Sequence, residues 1–587
     1  MIRGGAAPDI TSAILADLFD ALWLEDVAGF QSRAILGPAA VDQTRDYALA
    51  LGPGHLRARV APDGWREGVR LAGSVHYETA SARNELGAAG LLDLVLSGLP
   101  DLAPPVAERT RLQLGGILAQ RDLWEISAQA LEADVLAGRP LACERLAAWQ
   151  DRPFHPLARA RQGMSPTEVL AYGAEAGRLF ALSWCAVART LLSASPKAER
   201  SGPAVSLLDG PQKAMLDAEM AERGLAVSHI ALPVHPWQAT HVLPERFEQE
   251  ILAGHLVILD FQGPLVAATA SLRTLVLPGQ PGLHLKLPLD VQTLSVRRLL
   301  TPQSLHNGLH GADLLAAGLR RDAWLSRHVA LADEAAFWHF AERDGDVYAE
   351  RPALLGCTIR RLPAEGGLTV PLASLAVAPR GGLPPAIRLI AGDRPDLQAL
   401  FASVAELVLG TALRGACYGF APELHGQNAL ITFVEGRPRC LVLRDHDTVR
   451  CAPVWLEEVG LPVPAYLITD PQRNTLLLRR PEDLLAYAQT LAIDVALRAV
   501  AEAFAAAESN FDLRDARRIL VAQVRRVLRD VDVPSSRKAL ISGLLLNERS
   551  APFKQVLTPL LASSMPSTSM PSRLARAPNP LFLGVPQ

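Results

Sequence analysis

Cysteine is scarce, and no two stand close enough to work together. The six cysteines (143, 185, 357, 417, 440 and 451) include no CxxC pair. That fits a reducing cytoplasm and argues against a structural zinc or an iron–sulfur cluster. Neither sign of charge is in excess: 58 Lys and Arg against 61 Asp and Glu leave a formal charge of −3. No general field therefore draws nucleic acid or an acidic membrane, and any anion site must be local. Long apolar runs are also missing. The start, MIRGGAAPDITSAIL, lacks the uninterrupted apolar stretch of a secretory signal. The greasiest segment, Ala399 to Phe420, is broken by Glu406 and Arg414 and reads as a buried helix, not a membrane span. The common nucleotide, hydrolase and zinc signatures (GxxxxGK[ST], GxGxxG after a strand, GxSxG, HExxH) are absent. The expectation is a cytoplasmic protein.

What is present is a chain of 587 residues, too long for one compact core, with two to four domains expected. The first two hundred residues read as mostly helical. Ile14, Leu15, Leu18, Phe19 and Leu22 recur at helical spacing, as do apolar residues from Val169 through Leu179 to Leu192. Ser165-Pro166-Thr167-Glu168 predicts a helix start, with Ser165 as cap, Pro166 in the first turn and Glu168 completing a capping box. Ser193 to Pro203 looks like a boundary. From about Ile230 short β runs take over: 256–261, 265–276 and 283–291, the last two joined across PGQPG at 278–282. After Asp396 the chain turns helical again, interrupted by a hairpin at 429–443, and a loose tail is expected from Ser563. No internal repeat is visible. The order predicts an α+β protein, not an alternating α/β one.

The hairpin carries most of the chemistry. ALITFV and RCLVL read as strands around the turn EGRP, with Glu423-Leu-His-Gly-Gln-Asn428 before them and Arg444-Asp445-His-Asp447 after. Regular antiparallel pairing would set Asn428 opposite Asp445, roughly 5 Å away. A carboxamide and a carboxylate at a rigid strand end suit Mg2+, which takes a few oxygen ligands and completes its shell with phosphate and water. A polar loop that merely turns the chain would show the same residues.

Two further clusters are cationic. Ser271-Leu-Arg273-Thr274 and Lys286 fall on neighbouring strands, where Arg and Lys can clamp a triphosphate. The five-residue connection leaves open which of Ser271, Arg273 and Thr274 shares a face with Lys286. Arg297 and Arg298 follow. Arg152-Pro-Phe-His155-Pro-Leu-Ala-Arg159-Ala-Arg161 and Leu232-Pro-Val-His235-Pro-Trp-Gln238 give two His-Pro elements, the first set among arginines that would suit an anionic carboxylate substrate.

In order along the chain, DRPFHPLARARQG (151–163), LPVHPWQ (232–238), ASLRTL (270–275), HLKLPLDVQTLSVRR (284–298), ELHGQN (423–428) and LRDHD (443–447) resemble the IucA/IucC family of NRPS-independent siderophore synthetases. The resemblance implies a cupped-hand architecture. Residues 1–200 would form a helical thumb, 201–390 β-rich fingers of antiparallel sheet, and 391–587 a mostly helical palm carrying the hairpin. It implies an ATP- and Mg2+-dependent ligase that adenylates a carboxylate of citrate or a related acid (a citryl intermediate, 2-oxoglutarate or a succinyl derivative). An amine or alcohol then takes the acyl group, and AMP and pyrophosphate are released. Position by position it assigns ATP contacts to Ser271, Arg273, Thr274, Lys286, Arg298, His425, Gln427 and Asn428. Lys286, Arg298 and His425 would be catalytic, and Asn428 and Asp445 would hold the metal. His155, with Arg152 and Arg159, falls to the substrate carboxylate. Arg152 and Arg159 stand where the family often has His and Lys, so the acid-binding element departs from its relatives. Thr293 and Ser295 flank Leu294 in a shifted hydroxyl-rich segment. The implied partners are small molecules and a second copy of the chain, with no nucleic acid or membrane. A non-catalytic binding member and a ferric-siderophore reductase are the alternatives. The latter would carry a C-terminal cysteine cluster, and here no cysteine follows Cys451.

Overall fold

The computed structural model describes residues 10–150, 152–294, 296–342, 344–472, 474–562 and 573–584. The fold is α+β. Its sheets are antiparallel except where Val329–Leu331 runs parallel to Arg437–Leu443.

The N-terminal part is less helical than its sequence suggested. Ile10–Leu24 is a helix and buries Ile14, Leu18, Phe19 and Leu22 as the spacing predicts. It packs on a five-stranded antiparallel meander built from residues 35–86. One-face burial such as that of Gly54–Pro62, whose inward positions alternate, gives the period-2 pattern of a half-exposed sheet. The capping box forms as expected, with Ser165 accepting from Glu168 N and Glu168 returning to Ser165 N at 2.8 Å. The helix it starts ends at Tyr172, however, and Ser183–Ala188 is a central strand buried on both faces. A continuous apolar run suits a doubly buried strand as well as a helix, so periodicity alone misassigned it.

The middle of the chain supplies a seven-stranded sheet, ordered 180–181, 265–268, 274–277, 280–286, 356–361, 333–340 and 192–194. The expected hairpin across PGQPG is present. The stretch expected as one strand at 265–276 is two antiparallel strands, and Ser271 and Arg273 lie in the turn between them, closed by Thr274 N donating to Ser271 O at 2.8 Å. Residues 192–194, overlapping the start of the expected boundary segment at Ser193, complete that sheet.

Leu397–Tyr418 is the buried helix anticipated for the apolar run. It is capped by Asp396 and has Leu400, Phe401, Val404, Val408 and Leu413 in the core. It is long and apolar enough to cross a membrane, but 83% of its apolar window is buried in protein. Of the expected loose tail, residues 563–572 and 585–587 lie outside the described residues. Leu574–Pro578 pairs with Ser550–Lys554 and fixes the latter strand against the body.

Candidate active site

The hairpin is where expected, but its register is not. Ala429 faces Leu443: the turn is only Glu435 and Gly436, so Val434 faces Arg437, and the irregularity between Thr432 and Phe433 recovers one of the two residues by which that tighter turn displaces the pairing. Asn428 therefore faces Arg444, whose N–H donates to the Asn428 carbonyl at 3.0 Å, and Asp445 lies one residue further on. Arg444 turns inward and binds Glu144 through two nitrogens at 2.6 and 3.2 Å, while its Nε holds the Gln427 carbonyl at 2.8 Å. That buried fork fixes the His-Gly-Gln-Asn loop from behind. Asp445 itself has φ of 65°, a left-handed conformation that costs a non-glycine residue energy and clusters at functional sites. The helix Pro302–Arg321 presses on the turn that follows. A Cβ at Gly311 would stand 2.0 Å from the His446 carbonyl, so only glycine permits the approach.

Lys286 ends its strand between Thr274 on one side and Thr358 on the other, which resolves the open register in favour of Thr274. Both threonine hydroxyls are buried with no hydrogen-bond partner. The Lys286 ammonium binds Asp445 Oδ1 and lies 4.0 Å from Asp447 Oδ2. Arg360 Nη2 reaches the same Asp445 oxygen at 2.6 Å, and its Nε binds Glu334, which also accepts from Asp445 N at 2.8 Å. Burial would raise the Asp445 carboxyl, but Lys286 and Arg360 outweigh it and hold the group well below the ordinary carboxylate range. Asp447 goes the other way. Burial lifts it, Lys286 opposes only in part, and the charge on Asp445 adds to the rise.

Ser271, Arg273, Thr293, Arg298 and Gln427 line a small cleft, joined by Arg161. Arg298 Nε donates to Thr293 Oγ1, and Arg273 donates to the Leu299 carbonyl. Thr293 thus takes part through Arg298, while Ser295 lies outside the described residues. Arg297 is turned to Asp290 and Glu350, at 2.6 and 2.8 Å.

His425 lines a second cavity, of about 150 Å³, whose wall at this end is formed with Arg152, His155, Glu423 and Lys554. Arg152 Nη1 lies 3.3 Å from His425 Nδ1, and His155 Nδ1 accepts from Leu157 N at 3.1 Å. Burial, reinforced by Arg152, pushes both histidines down to about 3, so both are neutral at physiological pH. Burial brings the Lys554 ammonium down to about 8. Arg159 is not brought to this group. Its guanidinium lies over the Trp124 ring, 5.3 Å from the centroid, because the turns after His155 face it the other way. His235 is an N-cap, its Nδ1 accepting from Trp237 N at 3.1 Å.

Four participants escaped the sequence: Arg360, Glu334, Thr358 and Lys554. The first three sit on strands with no distinguishing pattern, and Lys554 is placed only by pairing of Ser550–Lys554 with Leu574–Pro578. Among the described residues, no three His, Cys, Asp or Glu side chains converge to hold a metal unaided. The carboxylates of Asp445 and Asp447, with Asn428 across the strand end, are the donor chemistry of an ion that completes its shell from phosphate and water.

The family model described as IucA / IucC family matches residues 140–377, and that of the ferric iron reductase FhuF-like transporter matches residues 397–564. The chain is 29% identical to staphyloferrin B synthase of Staphylococcus aureus (strain NCTC 8325 / PS 47), over 97% of both chains. It is 26% identical to the rhizobactin siderophore biosynthesis protein RhbF of Rhizobium meliloti (strain 1021), over 57% of each. In fold it is similar to the petrobactin biosynthesis protein AsbB from Bacillus anthracis str. Sterne, with a TM-score of 0.80 and 17% identity over 97% of this chain and 94% of that one. The ATP-bound aerobactin synthetase IucA from a hypervirulent pathotype of Klebsiella pneumoniae gives 0.76 and 20%, over 97% and 100%.

Proposed function

We propose that the chain, whose residues 140–377 match the IucA/IucC family, is an ATP-dependent, AMP-forming siderophore synthetase that activates a carboxylate of a citrate-type acid and passes it to an amine or alcohol. One observation carries the reading. A group of cations and hydroxyls (Arg273, Lys286, Arg298, Thr274) stands next to the Asp445–Asp447 carboxylates, and the loop that carries Gln427 at this cleft carries His425 at a second cavity, headed by Arg152 and Lys554. Triphosphate and polyacid are both anions, and both need fixed cations.

In this scheme a carboxylate oxygen attacks the α-phosphorus, the acyl–phosphate bond forms, and the bond to the β-phosphate breaks to release pyrophosphate. The amine or alcohol then attacks the acyl carbon, loses its proton, and AMP leaves. Lys286, Arg273 and Arg298 bind phosphate oxygens, with Ser271, Gln427 and Asn428 beside them. Arg152 and Lys554 hold carboxylates, and neutral His155 and His425 orient them by hydrogen bonds without adding charge. Fixing the acid in line with phosphorus adds an orientation advantage. Bound Mg2+ would be held by Asp445 with Asn428 or Asp447 and would neutralise phosphate charge. The same reading assigns 1–200, 201–390 and 391–587 to thumb, fingers and palm, and expects a cytoplasmic homodimer.

The match over 397–564 raises ferric-siderophore reduction as a second activity of the palm. The spread of the six cysteines, with Cys451 the last, supplies no cluster to support it. The test is hydroxylamine trapping with pyrophosphate detection, across citrate, 2-oxoglutarate and succinyl derivatives. ATP-dependent hydroxamate with at least one acid is expected. None with any acid, alongside a coloured, iron-loaded protein, would replace the reading.

A further inference from the structure

Asp445 is held by two cations of different kinds, and the scheme above uses only one of them. Lys286 and Arg360 both bond to its Oδ1, and among the described residues its Oδ2 makes no hydrogen bond. The lysine ends the strand Gln280–Lys286 on a flexible stem and can turn to a phosphate oxygen. The arginine cannot follow it. Its residue is 1% exposed, and its Nε is bound to Glu334 while its Nη2 reaches Asp445 at 2.6 Å. A planar fork held at both prongs has one position.

The fold itself places Glu334 there. Val329–Leu331 runs beside the hairpin strand Arg437–Leu443, whereas Asp333–Phe340 belongs to the seven-stranded sheet, so Glu334 stands where the chain passes from one sheet to the other. The pairing of Asp333–Phe340 with Gly356–Arg361 is irregular between Asp333 and Ala336, and such irregularities re-aim side chains beside functional sites. Glu334 Oε1 accepts from Arg360 Nε and from Asp445 N, the latter at 2.8 Å. One connected group therefore clamps Asp445 at both its backbone and its carboxylate. It does so in the left-handed conformation, φ 65°, that a non-glycine residue keeps only when its surroundings enforce it. Stability alone is a weak reason for such a group, because a buried ionic triad is often no more stabilising than apolar residues of the same volume.

We propose that Arg360, backed by Glu334, is the positioning residue of the metal-binding turn: it keeps Asp445 aimed, with Oδ2 open, while Lys286 leaves Asp445 for the phosphates. The inference rests on the synthetase reading. In the empty site Lys286 and Asp445 neutralise each other. When the metal-bound triphosphate enters, the ammonium turns to phosphate oxygen and the carboxylate to the metal. Without Arg360 that exchange would leave the Asp445 carboxylate with no protein partner, and the strained turn would have to be ordered at the expense of binding.

The experiment measures the dissociation constant of α,β-methylene ATP, whose α–β bridge cannot be cleaved, for the full-length protein with and without excess Mg2+. The native protein is expected to bind it at least tenfold more tightly with Mg2+. Arg360→Lys keeps the charge but cannot bond Glu334 and Asp445 together. It is expected to cut the Mg2+ gain at least fivefold and to leave the metal-free constant within threefold. Should Arg360→Lys unfold, Glu334→Gln, which removes the anchor of the guanidinium, is expected to cut the gain at least threefold. A merely structural residue would weaken both constants alike. An undiminished gain in the folded variants, an equal loss in both constants, or a native gain below threefold would overturn the positioning role. No binding of the nucleotide by the native protein under either condition would instead overturn the synthetase reading beneath it.

Discussion

Arg360 and Asp445 form a buried ion pair, Nη2 to Oδ1 at 2.6 Å, between neighbouring parts of two different sheets. The same guanidinium binds Glu334, which in turn accepts from the Asp445 backbone. Arg360 is 1% exposed, so removing it would take the buried guanidinium from Glu334 and leave Asp445 with Lys286 alone. Arg360→Met is expected to lower the unfolding free energy by about 3–5 kcal/mol, measured by denaturant titration. The pH dependence has a definite sign. The Asp445 carboxyl is held below its unfolded value, so its stabilisation is complete above about pH 4 and is lost as pH falls through the folded value. Acid unfolding of Arg360→Met should accordingly begin at a higher pH than in the native protein.

Asp445→Asn keeps the size of the side chain and removes its charge. Pyrophosphate release should fall at least a hundredfold at saturating Mg-ATP, with the melting temperature still cooperative. Lys286→Met should lose a similar factor, because it takes a cation from the row flanked by Thr274 and Thr358. Activity within threefold of native in both would remove this carboxylate and this lysine from the chemistry.

Arg152 and Arg159 belong to one sequence element yet should behave differently. Arg152 lines the cavity beside His425, whereas Arg159 lies on Trp124. Losing a charge-assisted hydrogen bond of about 1.5–3 kcal/mol should raise the KM for the acid roughly 10- to 150-fold in Arg152→Ala. Arg159→Ala should leave that KM within about twofold and show its effect in thermal stability. Equal KM effects would contradict the placement.

Lys554 supplies a pH signature. Its ammonium, brought down to about 8 by burial, is charged below that pH and neutral above it. The kcat/KM for the acid, read by pyrophosphate release with hydroxylamine as the trap, should therefore fall as pH rises through about 8. Lys554→Arg, which stays charged across the range, should move that limb beyond pH 9. His155 and His425, near 3, should contribute no limb between pH 5 and 8.

Much of the proposed nucleotide side was legible because its residues lie close together in sequence. The Lys286 hairpin and the loop before Ala429 are local, and turn residues with strand-like flanks mark both. The Asn428–Asp445 pairing failed by one residue because the turn is the two residues Glu435-Gly436 instead of EGRP, and the irregularity beside Thr432 makes up only half of that difference. Ser183–Ala188 was misassigned for another reason: burial on both faces erases the alternation that identifies a strand.

The sequence by itself determined the class of fold, the buried apolar helix, the capped helix at Pro166 and the run of cations that anions require. These depend on neighbours a few positions apart, where propensity, capping and spacing act directly. Only the tertiary structure decided which charges meet. Arg360 reaches Asp445 across 85 positions, Arg444 reaches Glu144 across 300, and Lys554 enters the cavity of His155 through a strand near the chain's end. Those encounters arise when separate elements bury their apolar faces together, and nothing in the local spacing of residues records which faces those will be.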